Sequence, residues 1–214
     1  VFGVDIDADT IEKAKMKYKN ENLFFQIGTT SAIPYDDNCI DVVISFETIE
    51  HHDEHIKMMD EIKRVLKPDG VVIISTPDKY YYTDIRKFKN EFHIKELYKH
   101  EFENLICKYF SNLQLLFQKH LNGNSIIQDE KSGDSLNFYG GSYAKINREK
   151  LNHMYLIFVA SNSPFEMQKT TIFNGSEITI KNKELLMLEV RRSTTFRIGY
   201  YVLLPFRYLQ RLFN

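Results

Sequence analysis

Two carboxylates and an imidazole follow an apolar run of this sequence at a spacing that suits one face of a helical turn. Glu47, Glu50 and His51 share a face at offsets of three and four residues if a helix begins there. We therefore predict His51 as the candidate general base, with Glu47 as a second catalytic group. His93 is a further imidazole that the fold can bring beside these residues, where it can contact a substrate. In the alternative interpretation, Glu50 and His51 only cap and orient the loop.

The same side chains suit a divalent cation, because carboxylates and imidazoles are ligands of Mg, Mn or Zn. Imidazole–carboxylate pairs are common in proteins without a metal, so the favoured prediction is that no metal is bound. The candidate ligands, if one is bound, are Glu47, Glu50, His51 and His93. The neighbouring His52 and His55 are expected to lie in solvent.

A carboxylate also stands at the end of the first apolar run. Asp5 closes the segment Val1–Asp5, and a carboxylate at the end of a parallel strand can accept hydrogen bonds from both hydroxyls of a ribose. That chemistry is typical of sites for nucleotide-type cofactors. An alternative role for Asp5 is to cap the helix that follows or to interact with its dipole.

Four apolar segments predict the strands that position these groups. They cover residues 1–7, 23–27, 40–46 and 71–75, and apolar residues at helical spacing lie between the first two and between the last two. The second helix ends at the breaker Lys67-Pro68-Asp69-Gly70. Strands that alternate with helices predict an α/β fold, Rossmann-like, with a mostly parallel sheet and helices on both faces.

The second half of the chain is less regular. A helix is predicted over residues 95–110 and strands over 113–117 and 154–160. We predict a domain over residues 1–164, a linker or small hairpin over 165–183, and a basic amphipathic C-terminal helix or linker over 184–214. The hairpin prediction rests on the turn residues Asn174-Gly175 between β-prone residues.

Composition excludes several classes of function. The 28 Lys and Arg residues balance 29 Asp and Glu residues, so the whole molecule has no electrostatic attraction to nucleic acid or to anionic lipid. No apolar stretch reaches the length that spans a bilayer. The two cysteines have no zinc-like spacing and favour a reducing compartment, so we predict a cytoplasmic protein.

The order of these segments resembles the class I S-adenosylmethionine-dependent methyltransferases. The resemblance covers about residues 1–160 and is carried by four segments that keep the family's spacing. They are Val4-Asp5-Ile6-Asp7, Gly28-Thr29-Thr30 with Ile33-Pro34-Tyr35, Ile40–Ser45, and Leu66–Gly70 before a strand. The branch that methylates small molecules and cell-surface glycans is the most similar.

The resemblance implies a role for several residues in binding S-adenosylmethionine. Asp5 would bind the ribose hydroxyls and Ile6 would lie against the adenine. The family usually has Gly-Asp-Ala at Gly28-Thr29-Thr30, where the Asp accepts the adenine amino group, and Thr29 offers a hydroxyl instead of a carboxylate. Ser45 and Phe46 would flank the reactive end of the cofactor.

The family's first strand, with its glycine-rich turn, is expected before Val1. That strand normally lies between the strand that ends at Asp5 and the strand that contains Ile44. The resemblance therefore implies an N-terminally truncated chain that neither binds the cofactor well nor covers the edges of the two neighbouring strands. By itself this piece is expected to be inactive.

The leading functional prediction is O-methylation of a sugar in a cell-surface polysaccharide or a lipid-linked glycan. Tyr81, in a run of three tyrosines, can stack on the acceptor, although such aromatic clusters also form partial core. The alternatives are a quinone-like or RNA 3′-hydroxyl acceptor with a metal site, and a degenerate scaffold without activity. The near-neutral charge argues against RNA.

The segment from Arg191 onward carries five arginines and no acidic residue. It resembles the linker that follows methyltransferase domains in polysaccharide-assembly proteins, which implies a glycosyltransferase domain or protein as a partner. An amphipathic helix of this composition also predicts peripheral contact with the inner face of the membrane.

Overall fold

The computed structural model describes residues 1–119, 139–142, 145–149, 152–169, 171 and 176–202. Two compact units divide the chain, Val1–Met167 and Gln168–Asn214. The boundary between them lies close to the domain boundary predicted after residue 164.

The first unit begins with a parallel β–α–β motif. Strand β1 (Phe2–Asp5) leads into helix α1 (Ala8–Lys17), and β2 (Phe24–Ile27) pairs with β1 in parallel. Asp7 caps the helix, because its side chain accepts hydrogen bonds from the backbone N–H groups of Asp9 and Thr10. The capping role considered for Asp5 therefore belongs to Asp7.

The remaining strands of the first unit form a four-stranded mixed sheet and a separate hairpin. In chain order they are β3 (Ile40–Ser45), β4 (Leu66–Pro77), β5 (Asn112–Gln118), β6 (Tyr139–Ser142), β7 (Lys145–Arg148) and β8 (Tyr155–Ser161). The sheet order is β3-β4-β8-β5, with β3 parallel to β4 and β8 antiparallel to both of its neighbours. The hairpin is β6–β7. The α/β prediction is confirmed, and the antiparallel β8 makes the sheet mixed.

Strand β4 begins before the predicted breaker instead of after it. Leu66 already pairs with Ile40, and the pairing resumes with Val71 opposite Val42. The intervening residues bulge out of the ladder, since Pro68 has no N–H to donate.

Two helices of the first unit supply most of the core against this sheet. Helix α2 (His55–Val65) buries Met58, Met59 and Ile62, and α3 (Lys99–Cys107) buries Phe102 and Ile106. Apolar residues of β4 and β8 complete the same cluster. Helix α3 is shorter than the predicted helix over residues 95–110, because the segment before Lys99 bonds to other parts of the unit instead.

Among the described strands, β1 bonds only to β2, and β3 bonds only to β4. The apolar side chains Val4 of β1 and Val42 and Ile44 of β3 are exposed. The strand expected between β1 and β3 stays a prediction of the sequence resemblance.

A charged network joins the loop after β2 to helix α2. Arg64 donates from Nη2 to the carbonyl of Ile33 at 2.8 Å and from Nη1 to the carboxylate of Asp37 at 2.7 Å. Glu61 accepts from Arg64 Nε at 2.7 Å and from the Ile33 N–H at 2.7 Å. The network holds the loop that follows Gly28-Thr29-Thr30 in place.

The hydrogen bonds from Arg64 lower the pKa of the Glu61 carboxyl below its ordinary value of 4.5. A carboxylate with a lowered folded pKa stabilises the fold above its unfolded pKa, and this stabilisation is lost as pH falls through the folded pKa. We expect Glu61→Gln to reduce the free energy of unfolding by about 1 kcal/mol at neutral pH, measured by urea denaturation. The difference from wild type should vanish below the folded pKa. Glu12→Gln, at an exposed ion pair, is the control and should change little; an undiminished Glu61→Gln difference at low pH would contradict the prediction.

The described residues of the second unit are mainly helical from Ser176 on. Helix α4 (Ser176–Arg192) is followed by further helical residues over 194–202. The hairpin prediction is wrong for residues 176–180, and the helix begins eight residues before the predicted start at Glu184. The β-prone Ile and Thr residues there adopt helix because the strong helix formers that follow outweigh their weak preference. The turn residues 174 and 175 lie outside the described residues.

Within the described part of the chain, no helix combines the length and the apolar character that crossing a bilayer requires.

Candidate functional site

The ends of three strands carry residues that the sequence singled out, and the end of a fourth carries a carboxylate that it did not. Asp5 ends β1, Gly28 follows β2, Ser45 ends β3 and Asp78 follows β4. The carboxyl ends of parallel strands are where ligands of open α/β sheets bind.

At the end of β1, the Asp5 carboxylate is half-buried. Its Oδ1 accepts from the Asp7 N–H at 2.8 Å, and its backbone carbonyl accepts from the Gly28 N–H at 3.0 Å. A Cβ on Gly28 would lie 2.7 Å from Pro34 and 2.9 Å from Val4, so this turn has room only for glycine. Ile6, beside Asp5, is 72% exposed. A carboxylate for hydroxyls next to an exposed apolar side chain fits the ribose and adenine of a nucleoside.

The hydroxyls after β2 bond within the protein. Thr29 Oγ1 lies 3.3 Å from Ser31 Oγ, and Thr30 Oγ1 lies 3.2 Å from His52 Nε2. The prediction that His52 and His55 lie in solvent is wrong. His55 is 5% exposed and its Nε2 donates to the His52 carbonyl at 2.8 Å, while burial lowers the pKa of the His52 imidazole. These histidines hold the loop, and the apolar spacing of α2 could have shown that His55 faces inward.

Glu47 has a backbone conformation that is uncommon for a residue other than glycine. Its φ is 50°, and Ser75 of β4 holds it from both sides. The Ser75 hydroxyl accepts from the Glu47 N–H at 3.2 Å and donates to Glu47 Oε1 at 2.7 Å. Burial raises the pKa of the Glu47 carboxyl above its ordinary value. Strained residues concentrate at functional sites, which supports a role for this carboxyl. Just before it, Ser45 is half-buried and Phe46 is exposed.

Glu50, His51 and His93 lie together, as the sequence predicted for the two imidazoles. Glu50 and His51 belong to a 3₁₀ turn (Ile49–His51), and the rings of His51 and His93 are 5.1 Å apart. The Glu50 carbonyl accepts from the backbone N–H groups of Ile94 and Lys95, which ties the segment that carries His93 to this turn. The fold therefore brings together three of the four predicted residues. The prediction that Glu47 shares a helical face with them is wrong, because the turn begins at Ile49 and Glu47 has a positive φ.

Within this cluster the Glu50 carboxylate is almost fully buried. The residue is 1% exposed; its Oε2 accepts from Thr76 Oγ1 at 3.2 Å, and its Oε1 has no hydrogen-bond partner. Burial raises the pKa of this carboxyl. His51 Nδ1 donates to the Phe92 carbonyl at 2.9 Å, so Nε2 of the neutral ring carries the lone pair.

The sequence interpretation missed a buried acid–imidazole pair. Asp78, 3% exposed, accepts from His153 Nε2 at 2.8 Å, and His153 is 7% exposed. The predicted substrate residue Tyr81 lies on a π-helical turn (Tyr80–Asp84), with its ring 4.7 Å from that of His153. The sequence could have indicated Asp78, because it is a carboxylate directly after the fourth strand. Asp5 was recognised from the same kind of position, at the end of the first strand.

Comparisons with known proteins show what the chain is similar to. Residues 1–74 match the family model described as a methyltransferase domain. A probable S-adenosylmethionine-dependent methyltransferase of Mycolicibacterium smegmatis is 32% identical over 107 residues, which are 50% of this chain and 41% of that protein. One of the same description from Mycobacterium tuberculosis is 27% identical over 138 residues, covering 59% and 50%. The chain thus spans half or less of the length of these relatives.

Solved structures show the same fold. An S-adenosylmethionine-dependent methyltransferase from Thermotoga maritima superposes with a TM-score of 0.52 at 19% identity, covering 76% of this chain and 72% of that one. Another from Archaeoglobus fulgidus has a TM-score of 0.52 at 14% identity, covering 75% of each. The family match, the relatives and the shared fold make the N-terminal part of the chain similar to class I S-adenosylmethionine-dependent methyltransferase domains.

Proposed function

We propose that the protein transfers a methyl group from S-adenosylmethionine to a hydroxyl of a sugar, in a cell-surface polysaccharide or a lipid-linked glycan. The observation that carries the cofactor half of the proposal is Asp5. It ends β1 half-buried beside a turn that admits only glycine, with one carboxylate oxygen held by a backbone N–H.

When bound, S-adenosylmethionine supplies an electrophilic methyl group. Asp5 accepts hydrogen bonds from the ribose hydroxyls, and Ile6 and Phe46 offer exposed apolar surface beside it. His51 at Nε2, or the Glu47 carboxylate, takes the proton of the acceptor hydroxyl. Tyr81 and His93 lie on the segments after β4, where the acceptor would approach.

The sugar acceptor is supported by the resemblance of the C-terminal segment to linkers of polysaccharide-assembly proteins. We propose a glycosyltransferase domain or protein as its partner, with a cytoplasmic location and peripheral membrane contact. The exposed apolar side chains of the second unit, such as Phe196 and Ile198, support that contact.

The cofactor site is tested by calorimetric titration of S-adenosylhomocysteine into the whole protein, including any residues that precede Val1. We expect Asp5→Ala to weaken binding at least about tenfold, because hydrogen bonds to a charged group are lost. Asp9→Ala removes an exposed carboxylate from the first turn of α1 and should leave the affinity unchanged.

Absence of binding by the folded protein would contradict the enzyme proposal and favour the scaffold without activity. If binding is found, transfer of a labelled methyl group to glycan precursors, quinols and RNA with a free 3′-hydroxyl distinguishes the acceptors. Labelling of a quinol or RNA instead of a glycan would overturn the sugar proposal while leaving the cofactor site intact.

A further inference from the structure

We propose that Glu50, His51 and His93 form a binding site for a divalent transition-metal cation. One ligand atom from each of these residues lies within 4.8 Å of the other two. Cation binding does not depend on the methyltransferase proposal. A role of the cation in holding the methyl acceptor does depend on that proposal.

The first argument is the unpartnered oxygen of Glu50. Its Oε1 is buried and lacks a hydrogen-bond partner, although the other carboxylate oxygen bonds to Thr76. A buried carboxylate oxygen without a partner is costly, and a cation is the ligand that compensates it most strongly.

The second argument is the direction in which His51 points its lone pair. Because Nδ1 donates to the Phe92 carbonyl, the neutral ring keeps its lone pair at Nε2, which lies 4.0 Å from Glu50 Oε1. Two acceptor atoms thus lie close together, and a metal ion bound to both offsets their mutual repulsion. Metal–ligand bonds of about 2.0–2.2 Å hold tetrahedral ligands about 3.3–3.6 Å apart, so a bound cation draws these two atoms slightly closer together than the 4.0 Å seen here.

The third argument is the partner of His93. Its Nδ1 bonds to Glu96 Oε1 at 2.6 Å, the arrangement in which a carboxylate orients an imidazole that ligates metal through its other nitrogen. That nitrogen, Nε2, bonds to the side-chain amide of Asn90 at 2.9 Å. A cation takes the place of this amide. The Phe92 carbonyl orients the His51 ring in the same way, by accepting from Nδ1.

Two imidazoles and one carboxylate favour Zn²⁺, Mn²⁺ or Co²⁺ over Mg²⁺, which prefers oxygen ligands. Three protein ligands leave coordination positions open, and an acceptor oxygen can take one of them. In that state His51 is a ligand and Glu47 is the group left to take a proton from the acceptor.

The test is titration of Co²⁺ into the chelator-treated protein, followed by visible absorption and calorimetry. We expect one Co²⁺ per chain, with absorption bands typical of nitrogen and oxygen ligands, and at least about tenfold weaker binding in Glu50→Gln and in His51→Gln. His51 is partly exposed, so His51→Gln keeps the test meaningful if Glu50→Gln fails to fold. His100→Gln, at an exposed histidine of α3, is the matched control and should bind like wild type.

Weak binding in the wild type, or equal binding in folded His51→Gln, would overturn the inference. The titration with S-adenosylhomocysteine is carried out separately on the same chelator-treated sample. If the protein binds S-adenosylhomocysteine but not Co²⁺, the cation site is rejected. If it binds Co²⁺ but not S-adenosylhomocysteine, the methyltransferase proposal is rejected.

Discussion

The free energy of unfolding should fall by about 4 kcal/mol when Phe158 is replaced with alanine. Phe158 is 2% exposed on β8, and its ring meets that of Phe102 edge to face at 5.2 Å. Because β8 is paired with β4 on one side and β5 on the other, the sheet cannot close easily around the cavity left by the ring. Urea denaturation followed by circular dichroism measures the loss.

Phe158→Leu is the matched variant for this prediction. It keeps most of the buried apolar volume and should cost about 1 kcal/mol. Equal losses in the two variants, or a loss near zero for Phe158→Ala, would show that β8 does not form the centre of the core.

Replacing Asp78 with alanine should reduce the free energy of unfolding by about 3 kcal/mol. The change leaves the buried His153 Nε2–H without an acceptor, and the Tyr80 N–H also loses its bond to Asp78 Oδ1. His153 is 7% exposed, so water does not replace its lost bond at full strength. Urea denaturation at neutral pH checks the effect.

Asp78→Asn separates the hydrogen bond from the charge. The Asn side-chain oxygen still accepts from His153, so this variant should lose clearly less stability than Asp78→Ala. If the two variants are equally destabilised, the negative charge matters more than the hydrogen bond. If neither is destabilised, the pair does not hold the segment before β8.

The α/β architecture was predictable because its information is local. The nearly continuous apolar runs in β3 and β4 indicate strands without any knowledge of neighbours, and the helical spacing of Met59 and Ile62 in α2 indicates a one-sided helix. Asp5, the carboxylate at the end of β1, was found in the same way, whereas Asp78 after β4 was missed. The C-terminal hairpin prediction failed because weak β preferences in residues 176–180 were outweighed by the helix-forming residues that follow.

Contacts between distant segments could not be predicted from such patterns. Asp78 and His153 are 75 residues apart in sequence, and only the antiparallel return of β8 beside β4 brings them to 2.8 Å. The unpartnered Oε1 of Glu50 likewise depends on packing, since composition shows a carboxylate but not whether a donor reaches it.

Residue type and spacing were thus sufficient for the elements of the first unit and for the possibility that Glu50, His51 and His93 meet. Their distances, the ring nitrogen that His51 exposes and the strained backbone of Glu47 were decided by the tertiary structure. The physical reason is that the local sequence pattern indicates which side chains of a helix or strand face the core. The orientation of a polar group is set instead by the hydrogen-bond partners that the rest of the fold supplies.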